Sequence, residues 1–343
     1  MRDPRRAAWP GGLPVRHVRR QRWLDQEPTW KEANPAVIDA AAARAALRLA
    51  GNWYVVGASD SVPAGRSAGR RVAGRELVVW RGSAGDVHAG PGACPHLGAP
   101  LRDSPVAGRE LVCHWHGMRL GPAGTPAWRT YPCHDDGVLL WARLDGPDGP
   151  DAEEPTATPP AVRRPEQGRA LTAVTSVAGR CQPHDIVANR LDPWHGAWFH
   201  PYSFGELSVL EHPPARLPPL TDPAADRFVV RVDFRLGRRL AVPVTAAFTA
   251  PGPRTVVMEI LDGEGAGSVV ETHATPTSRP GAAAHTVVTE AVIACSGRPG
   301  FAVARALAPL VRPMVRRAAG RLWQDDMAYA ERRYRLRTSP DGG

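Results

Sequence analysis

Two short segments place cysteine and histidine together in a spacing that suits a metal centre. CPHLG, at residues 94–98, contains Cys94-x-His96, and after sixteen further residues CHWHG, at residues 113–117, contains Cys113-x2-His116. Thiolate and imidazole bind zinc as well as iron–sulfur clusters, and structural zinc fingers commonly pair cysteine with cysteine and histidine with histidine. Here each segment offers one of each. The pattern therefore favours a [2Fe–2S] cluster in which one iron binds both cysteines and the other both histidines, with a zinc site as the alternative.

A second group of possible ligands follows in ANRLDPWHGAWFHPY, residues 188–202. The spacing is Asn189-x2-Asp192-x2-His195-x4-His200. On a regular helix Asp192 and His195 share a face, whereas His195 and His200 point about 140° apart. Two prolines bracket the histidines, so a short or distorted helix is expected. The simpler alternative is a helix with two exposed histidines and no metal.

The first group resembles the Rieske domain of ring-hydroxylating oxygenases. WYVVG (53–57), WR (80–81), CPHLGAPL, CHWHG and YPCHDDGVLLWARL (131–144) occur in that family's order. The resemblance implies that Cys94, His96, Cys113 and His116 hold a Rieske [2Fe–2S] cluster. His114 stands where the family usually has proline, and we interpret it as a loop residue.

The other cysteines carry no such signal. Cys133 and His134 lack a matched partner pair, so we interpret them as ordinary residues at a strand end. Cys181 and Cys295 receive the same interpretation.

The second group resembles the mononuclear-iron motif of Rieske oxygenases, in the spacing of the dicamba and vanillate O-demethylase-like branch. The resemblance implies that His195 and His200 are iron ligands. It also implies that Asp192 links the iron site to a Rieske histidine of a neighbouring subunit, and that Asn189 lies near the iron. Two histidines and one carboxylate form the facial triad of non-haem Fe(II) oxygenases, so a further carboxylate is required.

LWQDDMAYAERR near the C-terminus offers two candidates for that carboxylate, Asp325 and Asp326. Helical periodicity does not choose between them. The resemblance prefers Asp326, because the family tends to place a glutamate five residues beyond its ligand and Glu331 occupies that position. The acidic residue of the pair Glu211-His212 is assigned to a loop.

The surrounding sequence predicts an α+β protein. Its expected parts are an N-terminal helical extension (1–49), with a helix over residues 35–49 that packs as an appendage, an all-β Rieske domain (50–146) and a stiff, solvated, proline-rich linker (147–168). A catalytic domain of antiparallel sheet and helices (169–337) and a short tail (338–343) complete the chain. In RFVVRVDFRL, apolar residues alternate with mostly charged ones, as in a strand with one buried side. A last helix from about residue 301 to 335 carries Val303, Leu307, Leu310 and Met314 on one stripe, and two prolines are expected to bend its first half.

Composition excludes several other classes. The formal net charge is +9, but 42 of the 43 basic residues are arginine and they are scattered along the chain, so we expect no nucleic-acid binding. Five cysteines in 343 residues do not suggest a disulfide scaffold. We find no secretory signal and no apolar run long enough to span a membrane, which favours a cytoplasmic protein.

These observations predict a Rieske-type oxygenase with a [2Fe–2S] cluster and a mononuclear Fe(II). Electrons would come from NAD(P)H through a reductase, with or without a ferredoxin. With O2, the enzyme would hydroxylate, demethylate or desaturate a small hydrophobic ring or isoprenoid compound. The resemblance implies electron transfer between subunits in a ring, which in this family is a C3 homotrimer. The alternative is an electron-transfer protein whose C-terminal domain is not catalytic.

Overall fold

The computed structural model of the chain describes residues 15–18, 23–145, 153–218, 222–237 and 239–339. The predictions for the first fourteen residues, the start of the proline-rich segment and the end of the tail lie outside the described residues.

The elements are distributed as follows. The first half of the chain contains β1 (Arg16–His17), α1 (Pro35–Ala46), β2 (Trp53–Ala58), β3 (Arg66–Val72), β4 (Arg75–Arg81), β5 (Val87–Pro91), β6 (Val106–Ala107), β7 (Glu110–Val112), β8 (Arg119–Leu120), β9 (Cys133–Asp135) and β10 (Leu139–Arg143). The second half contains β11 (Leu171–Gly179), α2 (Pro183–Arg190), α3 (Gly196–Phe199), β12 (Phe204–Glu211), β13 (Phe228–Arg235), β14 (Leu240–Gly252), β15 (Thr255–Gly263), β16 (Val269–Pro276), β17 (Thr286–Ala294), α4 (Pro299–Ala306) and α5 (Ala308–Thr338).

Strands β2 to β10 form a small all-β domain, as the short apolar runs predicted. They make three antiparallel sheets of three strands each, in the orders β2-β10-β9, β3-β4-β5 and β6-β7-β8. One core lies between the first two sheets. A second core packs Trp80, Leu111 and Trp128 around Cys94 and Cys113. The two cysteines therefore stand on a closely packed apolar base.

The second half of the chain is built on one antiparallel sheet of eight strands. Its order is β11-β17-β16-β15-β14-β13-β12, and β1 pairs with β14. On β13, Phe228, Val230 and Val232 are buried, as the alternation predicted, but Val229 and Asp233 on the other side are buried too. The Arg16 guanidinium of β1 donates to the Asp233 carboxylate at 2.7 Å and compensates its charge.

Helix α1 packs on the half of the molecule that contains the eight-stranded sheet, and the expectation of an appendage is wrong. The Asn34 side chain caps the helix by accepting from the Ala36 N–H at 2.9 Å. Buried alanines of α1 pack in one core with α2 and β13. Arg44, also on α1, forms a buried bidentate pair with Asp226 at 3.0 and 2.7 Å. The small alanine side chains allow α1 to pack closely against α2 and the sheet.

The described part of the proline-rich segment is solvated, as expected, since none of residues 153–168 is buried, but it is also fastened to both halves of the molecule. Glu153 accepts hydrogen bonds from the backbone N–H groups of Ala50 at 2.8 Å and Asn52 at 3.0 Å. Arg164 pairs with Asp136 of the all-β domain at 2.9 Å and with the fully buried Glu271 of β16. These charge pairs fix one domain on the other.

The last helix has buried residues only from Ala319 onward. Trp323, Asp326, Met327 and Ala330 lie on one side of α5 and are buried, with Trp323 and Met327 in a core beneath the sheet. The stripe predicted from Val303, Leu307, Leu310 and Met314 exists, but all four side chains are exposed. The helix is interrupted at Leu307, between α4 and α5, and no residue of α4 is buried. Periodicity identified the stripe without revealing that nothing in the described chain covers it.

Candidate metal centres

The two cysteine–histidine loops fold in the same way. In each loop the cysteine N–H donates to the carbonyl five residues on, at 2.8 Å for Cys94 and 2.9 Å for Cys113. A glycine four residues after each cysteine donates back to it, Gly98 at 2.9 Å and Gly117 at 2.8 Å. These glycines have φ of +73° and +74°, a left-handed conformation that a side chain would strain. The matched turns present one cysteine and one histidine per loop.

Burial separates the thiols from the imidazoles. Cys94 and Cys113 are 3% and 1% exposed, whereas His96 and His116 lie at the surface with ring centroids 4.8 Å apart. Burial raises the pKa of the Cys94 thiol, so a bound cation would be needed to ionise it at neutral pH. His114 is exposed and takes no part in this ring contact. The arrangement suits a cluster with an inner cysteine-bound iron and an outer histidine-bound iron.

The second ligand segment is a distorted helix, as its prolines predicted. A single turn of 3-10 helix covers Pro193–His195, and α3 continues for only four residues before ending at Phe199. His200 follows with φ −120° and ψ 55°, outside the helix. The change of backbone direction removes the divergence that a straight helix would impose on the two histidines.

Three nitrogen atoms converge on one carboxylate oxygen. Asp326 Oδ1 lies 3.1 Å from His195 Nε2, 3.0 Å from His200 Nε2 and 3.1 Å from Asn189 Nδ2. The ligand atoms of His195, His200 and Asp326 all lie within 4.8 Å of one another. His200 and Asp326 are 1% and 2% exposed. Two imidazoles and one carboxylate brought together in this way are the donor set of a non-haem Fe(II) site.

Asp325 points to a different place. Its Oδ2 accepts a hydrogen bond from the Tyr202 hydroxyl at 2.5 Å and lies 3.6 Å from His200 Nδ1. The Arg321 guanidinium stacks over the Tyr202 ring at 3.8 Å. Asp325 therefore contacts the outer side of the His200 ring, while the inner nitrogen faces Asp326.

Asp192 contacts the outer side of His195 in a similar way. Its Oδ2 lies 3.6 Å from His195 Nδ1 and accepts from the Tyr329 hydroxyl at 3.2 Å. Within the described part of the chain, Asp192 Oδ1 and Asn189 Oδ1 are buried without a hydrogen-bond partner. A buried oxygen left unpaired is costly, so a further donor or cation is expected at each atom.

The electrostatics favour binding of a cation. Burial opposes ionisation of His195, yet Asp192 and Asp326 raise its pKa to about 10. Burial also opposes ionisation of Asp326, but His195 and His200 hold its pKa well below the usual value. At neutral pH the metal-free site therefore holds a proton on His195, which a metal ion would displace on binding.

Two tyrosines near the site escaped the sequence analysis. Tyr202 follows His200 by two residues, and Tyr329 follows Asp326 by three, which places it on the same side of α5. Their spacing from the predicted ligands could have identified both tyrosines in the sequence.

The two glutamates named in the sequence analysis have structural roles. Glu331 accepts from the Arg180 N–H at 2.8 Å and secures the turn before α2. Glu211 ends strand β12 and pairs with Arg227 at 3.0 Å, so its assignment to a loop is wrong.

The other three cysteines lie apart from both centres. Cys133 is on β9, and burial raises its pKa to about 12. Cys181 is buried beside Met327, with a sulfur–sulfur distance of 3.8 Å. Cys295 contacts Ser268. Their positions agree with the interpretation that they are not ligands.

Comparison with known families covers both halves of the chain. Residues 150–341 match the family model described as "Domain of unknown function (DUF5914)", and residues 52–138 match the model of the Rieske [2Fe-2S] domain. The first match spans more than half of the chain. The chain belongs to the DUF5914 family and carries a Rieske domain. Both cysteine–histidine loops fall within the Rieske match, and His195, His200 and Asp326 all fall within the DUF5914 match.

Similar proteins include oxygenase components. The vanillate O-demethylase oxygenase subunit of Pseudomonas sp. (strain HR199 / DSM 7063) is 38% identical over 181 residues, which are 47% of this chain and 48% of that protein. The oxygenase component of 3-ketosteroid-9-alpha-monooxygenase from Mycobacterium tuberculosis is 34% identical over 45% of this chain and 43% of its own length. The DUF5914 chain thus spans about half the length of the curated relatives it matches.

Solved structures share the fold over most of the chain. Dicamba monooxygenase bound to dicamba superposes with a TM-score of 0.60 at 17% identity, covering 84% of this chain and 89% of that one. The terminal oxygenase of carbazole 1,9a-dioxygenase from Novosphingobium sp. KA1 gives 0.54 at 13% identity, with 89% of each chain covered. The predicted resemblance to Rieske oxygenases and the predicted α+β class are confirmed.

Substitution of the neighbouring histidines distinguishes their roles at the first centre. His116→Ala should abolish the visible spectrum of the [2Fe–2S] cluster, because the outer iron would lose one of its two imidazoles. His114→Ala, its matched control, should retain the spectrum and the acid-labile sulfide. Equal loss in the two variants would contradict the assignment by spacing.

Substitution of the neighbouring aspartates distinguishes them at the second centre. Asp326→Ala should remove about one iron atom per chain and leave the Rieske spectrum intact, since the two centres lie in separate domains. Asp325→Ala should retain that iron, because the side chain faces Tyr202. Metal analysis after desalting checks both variants. The reverse pattern would reassign the ligand.

Proposed function

We propose that this protein is the terminal oxygenase of a Rieske non-haem iron system. The observation that carries the proposal is the convergence of His195, His200 and Asp326 in a buried cluster, in a chain that also carries a Rieske domain. An electron carrier without catalytic activity would not require a second, preorganised set of metal ligands. The alternative of a non-catalytic C-terminal domain is therefore less well supported.

The donor set fits the two metal groups of such an enzyme. Cys94, His96, Cys113 and His116 would hold the [2Fe–2S] cluster, and this assignment rests on the matched loops. His195, His200 and Asp326 would hold Fe(II), which when bound supplies activation of O2. The raised pKa of His195 and the lowered pKa of Asp326 support a site that exchanges a proton for a cation.

The residues around the iron ligands have distinct roles in this proposal. Asp325 and Tyr202 would orient the His200 imidazole through its outer nitrogen. Asp192 would do the same for His195, and the Tyr329 hydroxyl would orient Asp192. Such outer contacts hold ligand rings in one orientation and adjust their basicity. Asn189 would lie beside the iron, since its amide already contacts Asp326.

A hydrophobic substrate is supported by the surface next to the ligands. The Phe204 ring lies 6.0 Å from the His200 ring and 5.5 Å from the Phe234 ring. Both phenylalanines adjoin an apolar cluster on the sheet that includes Val232 and Met258. A ring or isoprenoid compound would pack against these side chains. Hydroxylation, demethylation and desaturation are all consistent with this surface.

The proposal includes partners. The unpaired Asp192 Oδ1 would accept a hydrogen bond from a Rieske histidine of a second copy, which leads to a cyclic homotrimer. Leu97 and Trp115, 64% and 53% exposed beside the Rieske histidines, would form the apolar rim of that contact. Electrons would reach the cluster from NAD(P)H through a reductase, with or without a ferredoxin. A cytoplasmic location completes the proposal.

Replacement of the linking carboxylate tests the function. Asp192→Asn should retain both metals and a reducible Rieske cluster, but product formation should fall about a hundredfold, because the anionic acceptor between the centres is lost. The assay is product mass with a surrogate reductase and a panel of hydrophobic ring and isoprenoid compounds.

Asp325→Asn is the matched control, since it lies equally near a histidine ligand but on the other side of the site. It should lose less than about tenfold in rate. Unchanged turnover in Asp192→Asn would contradict the proposed link, and failure of the wild-type protein to consume O2 with any compound would contradict the proposed function.

A further inference from the structure

Four large apolar side chains project into solvent from one side of the segment that contains α4 and the start of α5. Val303, Leu307, Leu310 and Met314 are 60%, 49%, 69% and 70% exposed. Their spacing of four, three and four residues places them within about 60° of one another around a helix. Single exposed apolar residues are common, but a contiguous patch of this kind marks an interaction surface.

The patch is held in this orientation by the rest of the helix. Leu307 joins the two helices: its N–H donates to Val303 O at 2.9 Å at the end of α4, and its carbonyl accepts from the Val311 N–H at 3.1 Å at the start of α5. On the opposite side of the helix, Arg316 pairs with Asp60 of the all-β domain at 2.7 Å. Rotation that buried the apolar side would break this pair.

The charges around the patch have one sign. Between residues 299 and 324 the sequence contains five arginines and no carboxylate. Arg305, Arg317 and Arg321 are exposed. Arg317 and Arg321 follow Met314 by three and seven residues and share the side of the patch, whereas Arg305 points to the other side. Acidic groups that contact the segment are paired, Asp60 with Arg316 and Glu264 with Arg298 just before α4. The surface is therefore apolar over most of its length and basic at one end.

We propose that the α4–α5 surface, formed by Val303, Leu307, Leu310 and Met314 with Arg317 and Arg321 beyond them on the same side, docks on an anionic lipid bilayer. The apolar side chains would enter the boundary between headgroups and acyl chains, and the arginines would contact lipid phosphates. None of the helices in the described ranges has the length and apolar character needed to cross a bilayer, so the attachment is peripheral.

The local charge favours an anionic bilayer as the occupant. Residues 299–324 contribute five arginines and no carboxylate, so this segment is attracted to an anionic surface. An anionic bilayer supplies both an apolar interior and the opposite charge. The inference goes beyond the proposed function and does not depend on it, because no iron ligand belongs to the surface.

Docking would also position the second metal centre. Met314 and Asp326 are twelve residues apart on α5, which corresponds to about 18 Å along a helix. The ligand-bearing half of the helix would then lie at a fixed distance from the bilayer surface.

Vesicle sedimentation with the full chain tests the proposal. The wild-type protein should bind vesicles of phosphatidylcholine with about one-third phosphatidylglycerol, and should bind pure phosphatidylcholine vesicles more weakly. Leu310→Ser/Met314→Ser should weaken binding at least about tenfold. Arg317→Gln should reduce the preference for anionic vesicles. High salt should also weaken binding.

Leu236→Ser/Leu261→Ser is the matched control, since these leucines are 55% and 42% exposed on other parts of the molecule. It should bind vesicles as the wild type does. Unchanged thermal midpoints and Rieske spectra would show that all variants fold. Failure of the wild type to bind anionic vesicles would overturn the proposal. So would a Leu310→Ser/Met314→Ser variant that binds normally, or one whose only change is loss of self-association in light scattering.

Discussion

The second metal centre depends on one buried carboxylate. Asp326 is 2% exposed, and its Oδ1 is shared by nitrogen atoms from three other side chains. A buried anion is stable only when opposite charge or hydrogen-bond donors surround it. α5 must therefore bring Asp326 to the place where α2 and the short helix α3 present their polar groups. This position of Asp326 depends on the sheet, on the core around Trp323 and on the kink after Phe199.

The same physical requirement would favour a metal at this site. Without one, a proton on His195 balances the Asp326 charge, and Asn189 Oδ1 and Asp192 Oδ1 have no hydrogen-bond partner among the described residues. A divalent cation would replace the proton and satisfy more of these groups at once. The Rieske loops differ from this site, since they bury two thiols and leave two imidazoles at the surface.

Much of this arrangement could be predicted from sequence, because it is local. The cysteine–histidine loops depend on spacing within a few residues and on glycines that allow a left-handed turn. The distorted ligand helix followed from its two prolines. Long-range packing could not be predicted in this way. The alanines of α1 do not reveal that they bury against α2, and Arg164 does not reveal its buried partner Glu271. Likewise, the stripe from Val303 to Met314 has the periodicity of a core face although it faces solvent. Periodicity indicates that residues share a side, but not what that side meets.

The ligand role of Asp326 rested on resemblance. The geometry now favours Asp326 over Asp325 for a separate reason, which is the direction in which each carboxylate points.

The account rests on two separate metal centres in one chain, and metal stoichiometry tests it most directly. Iron and acid-labile sulfide should be measured in protein purified without oxygen and supplied with Fe(II), then freed of loosely bound metal. The account predicts about three iron atoms and about two sulfides per chain, with one iron removable by a mild chelator while the Rieske spectrum persists. Two irons with two sulfides, and no further binding of Fe(II), would contradict it.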